Sequence, residues 1–299
     1  MTTTLPGGDV APHAAGSRTS LIGSCWTLYL LTLRQYSHGK RWIALAVLFM
    51  LPAGLAILIR WHSNGTSPSL FLDFVLSWIL TPQALLPLIA LLYASGVIQD
   101  EQEDQTITYL LVRPLPKSLL YIVKMMATWT TTVALVILLT VLTFCAIYVR
   151  GDIAMADVVS RCVKTASIHS LAVVTYSSIF GLLALITKRS LVVGIVYTVA
   201  VEGVLANLPF SVRMATVVYY SRIMAYRSLD FVVSWPRGRK NDVAAEAWFL
   251  DVVKDPTLTE HPQLSTCIWF LIIVSLVCTA IAASLCTQRE FHVKTPEKD

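Results

Sequence analysis

Six stretches of this chain are long and apolar enough to cross a membrane, and nothing else in the sequence restricts the fold so severely. Residues 42–59 run for eighteen positions without a charge, between Lys40-Arg41 and Arg60. Residues 125–149 and 266–288 are uncharged throughout, 165–187 carry only His169, and 191–210 carry only Glu202. The block 70–98 has Asp73 near one end and Pro82 and Pro87 in its middle. A hydrocarbon layer about 30 Å thick takes roughly 20 residues of α-helix to cross, and it leaves every backbone N–H and C=O to be satisfied inside the protein. The expected fold is therefore an all-α integral membrane protein with six transmembrane helices, at about 42–59, 70–98, 122–149, 165–187, 190–210 and 266–288. Each of the two prolines removes a helical hydrogen bond, so the second span should be kinked or broken. Only 14% of the residues are charged, against about 25% in a soluble domain, too few to clothe a water-facing surface.

Basic residues in short flanks set orientation. With the N-terminus inside, the inner flanks hold nine, namely Arg34, Lys40, Arg41, Arg113, Lys117, Lys188, Arg189, Arg289 and Lys294. The short outer loops hold four, Arg60, Arg150, Arg161 and Lys164. Both termini are thus expected in the cytoplasm and residues 211–265 outside. The net charge of +5 is read as this topology signal, because no basic tract interleaved with aromatics suggests a nucleic-acid surface. Residues 1–20 are polar and small, with no apolar run after a basic start, so they are expected to form a disordered tail and not a signal peptide. Residues 290–299 are expected to be a cytoplasmic tail. The six cysteines, Cys25, Cys145, Cys162, Cys267, Cys278 and Cys286, show neither zinc-ligand spacing nor a disulfide framework.

Two further segments read as helices that do not span. In residues 21–38, Ser20, Ser24, Thr27, Arg34 and His38 recur at helical spacing on an otherwise apolar stretch. Such a helix suits the inner interface, with Trp26, Tyr29 and Tyr36 at headgroup level; the alternative is a short buried helix. Beyond Leu208-Pro209, Met214, Val217, Val218 and Ile223 repeat at helical spacing beside Tyr219, Tyr220 and Tyr226. This reads as a short amphipathic or re-entrant helix, followed by a polar stretch and a second, weaker helix near 243–253.

Residues that could carry chemistry are few. There is no GxxxxGK[ST] phosphate loop and no HExxH, so neither P-loop ATP hydrolysis nor a zincin-type protease is encoded. Ser95 and His169 could pair across two helices as nucleophile and base, although a packing role fits His169 better. Glu202 is an ionisable group inside a span, which makes it a functional candidate by default. It either faces a polar pathway or is a structural carboxylate, protonated or paired with a basic residue such as Arg213. The sequon Asn64-Gly65-Thr66 reads as chance.

The most informative segment lies between the second and third spans. Asp100, Glu101, Glu103 and Asp104 cluster at its start, Ile107, Leu110 and Leu111 form one apolar face, and Pro114 stops the helix. An acidic end is repelled by anionic headgroups, which favours a protein partner over the membrane surface.

At these residues the sequence resembles the ABC-2 type permeases, the membrane subunits of many prokaryotic ABC exporters. Gly96, Glu101, Glu103, Thr106, Leu110, Leu111 and Pro114 match that family's loop motif, Lys117 stands for its arginine, and Lys124 falls at its later lysine. Gln105 and Val123 replace two of its glycines. The resemblance covers essentially residues 21–289, read as one transmembrane domain. It implies a permease subunit, not an enzyme, that works with a separate ABC ATPase and with a second permease copy in a homodimer or heterodimer. No cofactor is then expected in this chain, since ATP and Mg would be bound by the ATPase. The residues implied in coupling are Asp100, Glu101, Glu103, Thr106, Ile107, Leu110, Leu111, Arg113 and Pro114. The implied location is the plasma (inner) membrane of a prokaryote. An ATP-independent secondary transporter using Glu202, a membrane-embedded enzyme and a non-transporting anchor subunit remain as other readings.

Overall fold

A computed structural model describes residues 21–38, 41–62, 69–97, 116–149, 153–187, 189–208, 211–229, 231–234, 240–242 and 262–288. The chain starts with α1 (Leu21–His38) and α2 (Arg41–His62). The next span joins α3 (Ser69–Asp73), a π-helical stretch Phe74–Leu85 and α4 (Leu86–Ala94). Two 32-residue helices follow, α5 (Lys117–Tyr148) and α6 (Met155–Ile186). Then α7 (Ser190–Tyr197) runs on through π-helical Thr198–Val204 into a 3₁₀ turn, Leu205–Asn207. A second 3₁₀ turn, Ser211–Ala215, leads into α8 (Val217–Ser228). An antiparallel pair of three-residue strands, β1 (Val232–Ser234) and β2 (Lys240–Asp242), precedes α9 (Leu264–Gln288). Five of these helical stretches are long and apolar enough to cross a membrane: Ser69–Ala94, Lys117–Tyr148, Met155–Ile186, Ser190–Asn207 and Leu264–Gln288.

The interrupted second span has a local cause. Pro82 lacks an N–H and its ring opposes a normal α-turn; around it the winding widens to the i→i+5 pattern. The Thr81 hydroxyl donates to Leu76 O at 2.7 Å, supplying a partner to a carbonyl five residues back. Pro87 falls in the first turn of α4, where its fixed φ suits a helix start.

At 1.5 Å per residue, α5 and α6 are each about 48 Å long, more than a hydrocarbon layer needs. The surplus of α5 is its first two turns, with Lys117 and Lys124; that of α6 carries Asp157, Arg161 and Lys164. Arg161 and Lys164 therefore belong to a helix and not to a short outer loop, as charge counting had them. Arg161 is ion-paired to the fully buried Asp73 at 2.7 Å, and Tyr148 donates to the same carboxylate oxygen at 3.2 Å. One acidic group thus ties α3, α5 and α6 at one end.

Helix α1 buries Leu28, Thr32 and Tyr36, one per turn, and exposes Ile22, Trp26 and Leu30 on another stripe. Tyr29 donates to Thr130, and Tyr36 hydrogen-bonds to Thr128. Seven residues of α1, roughly 10 Å of helix, thus meet positions only two apart on α5, so α1 crosses α5 steeply. A helix lying along the membrane plane against a spanning one has this geometry. Tyr36 is buried against Tyr93, with ring centroids 5.1 Å apart; it belongs to the bundle and not to the headgroup level. Trp26 keeps an exposed position.

The core gathers side chains from the second span, α5, α6, α8 and α9. Hydroxyls join α6 to α9, with Ser178 against Ser275 at 2.8 Å and Thr175 donating to Leu271 O at 3.2 Å. Outward-facing apolar residues such as Ile137 and Val141, Val192 and Ile195, and Ile273 and Val277 stay exposed, as helices in lipid require.

Helices α4 and α7 approach closely at Gly194, where an added Cβ would run into the Leu91 side chain. Gly194→Ala should destabilise the fold by about 1–3 kcal/mol through overpacking, read as a lower melting temperature in detergent. In Leu91→Ala the same change should cost far less, because the space is then vacant.

Candidate functional site

The coupling residues expected from sequence, Asp100, Glu101, Glu103, Thr106, Ile107, Leu110, Leu111, Arg113 and Pro114, lie outside the described residues, as do Asn64 and residues 243–253. The two ends of that segment are described, and they are fastened together. Lys124 is buried and its Nζ donates to Val97 O at 3.1 Å, bridging α5 to the last residue described before the segment. The Cys286 thiol approaches Lys117 O at 3.6 Å, bringing the end of α9 to the start of α5. Around these bonds Val97, Tyr121, Met125, Leu185, Ala282, Ala283 and Cys286 form one apolar cluster. The residues flanking the segment between Val97 and Pro116 therefore touch four helical stretches, the second span, α5, α6 and α9.

A second centre surrounds Glu202, which the structure buries completely. Its two carboxylate oxygens accept from Val217 N at 3.1 Å and Val218 N at 3.0 Å, and the Tyr197 hydroxyl donates to it at 3.3 Å. Tyr219 N, the next amide, is capped by Thr216 Oγ1 at 3.3 Å. The first turn of α8 is thus satisfied by one residue of its own and one from another span. A carboxylate at a helix N-terminus also meets the positive end of the helix dipole. Arg213, the partner that sequence offered for Glu202, instead has its guanidinium over the Tyr219 ring at 5.7 Å. The carboxylate is a helix cap.

The same region seats a buried arginine that sequence reading missed. Arg222 donates to Gln83 Oε1 at 2.8 Å and Asn207 Oδ1 at 3.0 Å, and lies over the Trp78 ring at 5.0 Å. Trp78 Nε1 donates back to Arg222 O at 3.2 Å, and Asn207 Nδ2 bonds to Gly203 O. Gln83 stands midway along the span Ser69–Ala94, so Arg222, in the middle of α8, lies level with the middle of that span. Helix α8 runs toward the Asp73–Arg161 end, where Phe231 packs against Phe74 at 6.0 Å and under Arg161 at 5.4 Å.

His169 is a packing residue. Its Nε2 donates to Ser77 O at 3.1 Å and Nδ1 faces Thr140 Oγ1 at 3.4 Å. Ser95 lies eighteen residues further along the same span as Ser77, roughly 20–27 Å away by helical rise, so the two cannot pair as nucleophile and base. The six cysteines are free thiols, with Cys267 and Cys286 buried. Among the described residues no group of three or more His, Cys, Asp or Glu side chains could hold a metal.

Removing the cap should expose the role of Glu202. Glu202→Ala leaves two buried amides without acceptors, at about 1–3 kcal/mol each, whereas Glu202→Gln keeps an acceptor and should lose less. Hydrogen exchange at Val217 and Val218 should accelerate strongly in the first variant and mildly in the second. Unchanged exchange in both would rule out the capping role.

Among curated proteins, none matches this chain. The ABC-2 family transporter protein family matches it over residues 38–202, more than half of its length, from the last residue of α1 to Glu202. On that match, and on its five apolar spans, the chain is an integral membrane protein that belongs to the ABC-2 transporter family.

Proposed function

We propose that the chain is the permease subunit of an ABC exporter, moving substrate at the expense of ATP hydrolysed by a separate subunit. The observation that carries this reading is the family match, which takes in the acidic segment between Val97 and Pro116 as well as three of the apolar spans. The family supplies the membrane part of a transport system and not its ATPase, in keeping with a sequence that has no GxxxxGK[ST] loop.

In this reading α2, with its 22 residues, is a sixth span, and both termini are cytoplasmic in a prokaryotic plasma membrane. Residues 100–111 form the coupling helix. Ile107, Leu110 and Leu111 seat it in a groove of the ATPase, Glu101 and Glu103 make the transmitting contacts, and Arg113 and Pro114 close its C-terminal end. Lys124 and the apolar cluster around Tyr121 pass its displacement to the inner ends of the second span, α5, α6 and α9. Two permease copies, identical or related, face one another. ATP shifts the pair between conformations only to the extent that the ATPase binds it more tightly in one of them. ATP and Mg belong to that partner. Glu202 is committed to capping α8, so a secondary transporter that cycles this carboxylate has no support from the geometry.

The assignment is tested on the complex purified from native membranes. Glu101→Ala with Glu103→Ala should leave the chain inserted and ATP hydrolysis running while transport falls at least tenfold. Leu110→Asp with Leu111→Asp should lose the ATPase from the complex altogether. Normal transport by the first variant at equal expression, or a chain that purifies folded without any ATPase, would overturn it.

A further inference from the structure

Helices α6, α8 and α9 leave a cleft of about 380 Å³ between them, within the range of pockets that take small ligands. Its walls are Val163, Ile168 and Leu171 of α6, Met224 of α8, and Leu264 and Ile268 of α9. The one hydroxyl that α6 adds, Ser167, donates to Val163 O at 2.8 Å and so turns its donor into its own helix. At the mouth stands Lys164, exposed, with Nζ donating to Ser228 O at 3.3 Å. An ammonium has three donors, so this single bond aims the group across the cleft mouth while others remain to meet a ligand.

The depth of the cleft selects its occupant. Lys164 is the last charged residue of α6 before the uncharged stretch beginning at Thr165, so it stands where hydrocarbon gives way to headgroups. From Lys164 to Leu171 the cleft follows α6 for roughly 10 Å, the depth of the upper half of an acyl chain in one leaflet. An apolar slot between α6, α8 and α9 with the Lys164 ammonium at its mouth is complementary to an anionic amphiphile.

We propose that this cleft is a binding site for an anionic phospholipid, with one acyl chain between α6 and α9 and the phosphate at Lys164. The site requires only that the chain crosses the membrane, and it stands whether or not the chain is driven by an ATPase. Occupancy would brace the C-terminal half of α8, because Met224 and Ser228 belong to both the helix and the cleft.

The full chain reconstituted in vesicles provides the test. Phosphatidylglycerol or phosphatidylcholine with a photoreactive acyl chain is incorporated, and labelled positions are mapped by mass spectrometry. Labelling within 163–171 and at Leu264 and Ile268 is normalised to Ile273 and Leu276, which face outward on α9. Phosphatidylglycerol should label the cleft at least fivefold more than phosphatidylcholine. Lys164→Gln should remove that preference, and Val163→Trp, at an exposed wall position, should block labelling by both lipids. Equal labelling by the two lipids in the unmodified chain, or an unchanged preference in Lys164→Gln, would overturn the proposal. So would cross-links from the cleft to a second protein chain in place of lipid.

Discussion

A buried backbone amide needs an acceptor, and α8 begins inside the bundle with Val217, Val218 and Tyr219 all buried. The first three amides of this helix would each be costly to leave unmade, and a buried start is tolerable only because acceptors are brought to them. Glu202 brings two and Thr216 one. The rest of the centre follows from this arrangement. A carboxylate held in such a place favours compensating positive charge, which the helix dipole and the buried Arg222 provide. Arg222 in turn needs Gln83 and Asn207, and Gln83 is presented from the π-helical stretch that Pro82 imposes on the second span.

The end of the bundle around Val97 and Lys117 is organised differently. There the contacts are largely apolar, with one buried lysine amine on a backbone carbonyl. Apolar contacts are non-directional, so the Lys124–Val97 bond adds a directional contact at this end. The Glu202–Arg222 centre and the Asp73 end are held instead by several directional bonds between charged or amide groups.

Much of this was legible in the sequence, for physical reasons. Uncharged runs the length of a bilayer give the spans almost unaided, and Pro82 marks the interrupted one. The loop motif leads to the right family because its acids, apolar triplet and proline have a joint spacing that few loops share. The choice between an amphipathic and a re-entrant α8 was left open, since an apolar periodicity does not reveal depth. The backbone partners of Glu202 were not legible for a related reason. Sequence shows side-chain charges and hides backbone donors, so a carboxylate suggests an arginine and not two amides. Arg222, Gln83 and Asn207 could have been flagged, each a polar residue in an apolar setting, but nothing in their spacing joins them. Charge counting misplaced Arg161 and Lys164 because helices can outrun the membrane, and a basic residue on the overhang looks like one in a loop.

The shared carboxylate at the far end of α3, α5 and α6 has a mechanical meaning. Rods about 48 Å long that are pinned at one end swing most at the other, so any swing of α5 and α6 is smallest at the Asp73–Arg161–Tyr148 pin. Parting these helices at the pinned end means either dragging Arg161 along or stranding a fully buried carboxylate, a penalty of about 3–5 kcal/mol. The pin therefore sets a threshold: α5 and α6 part at this end only when one ion pair is broken.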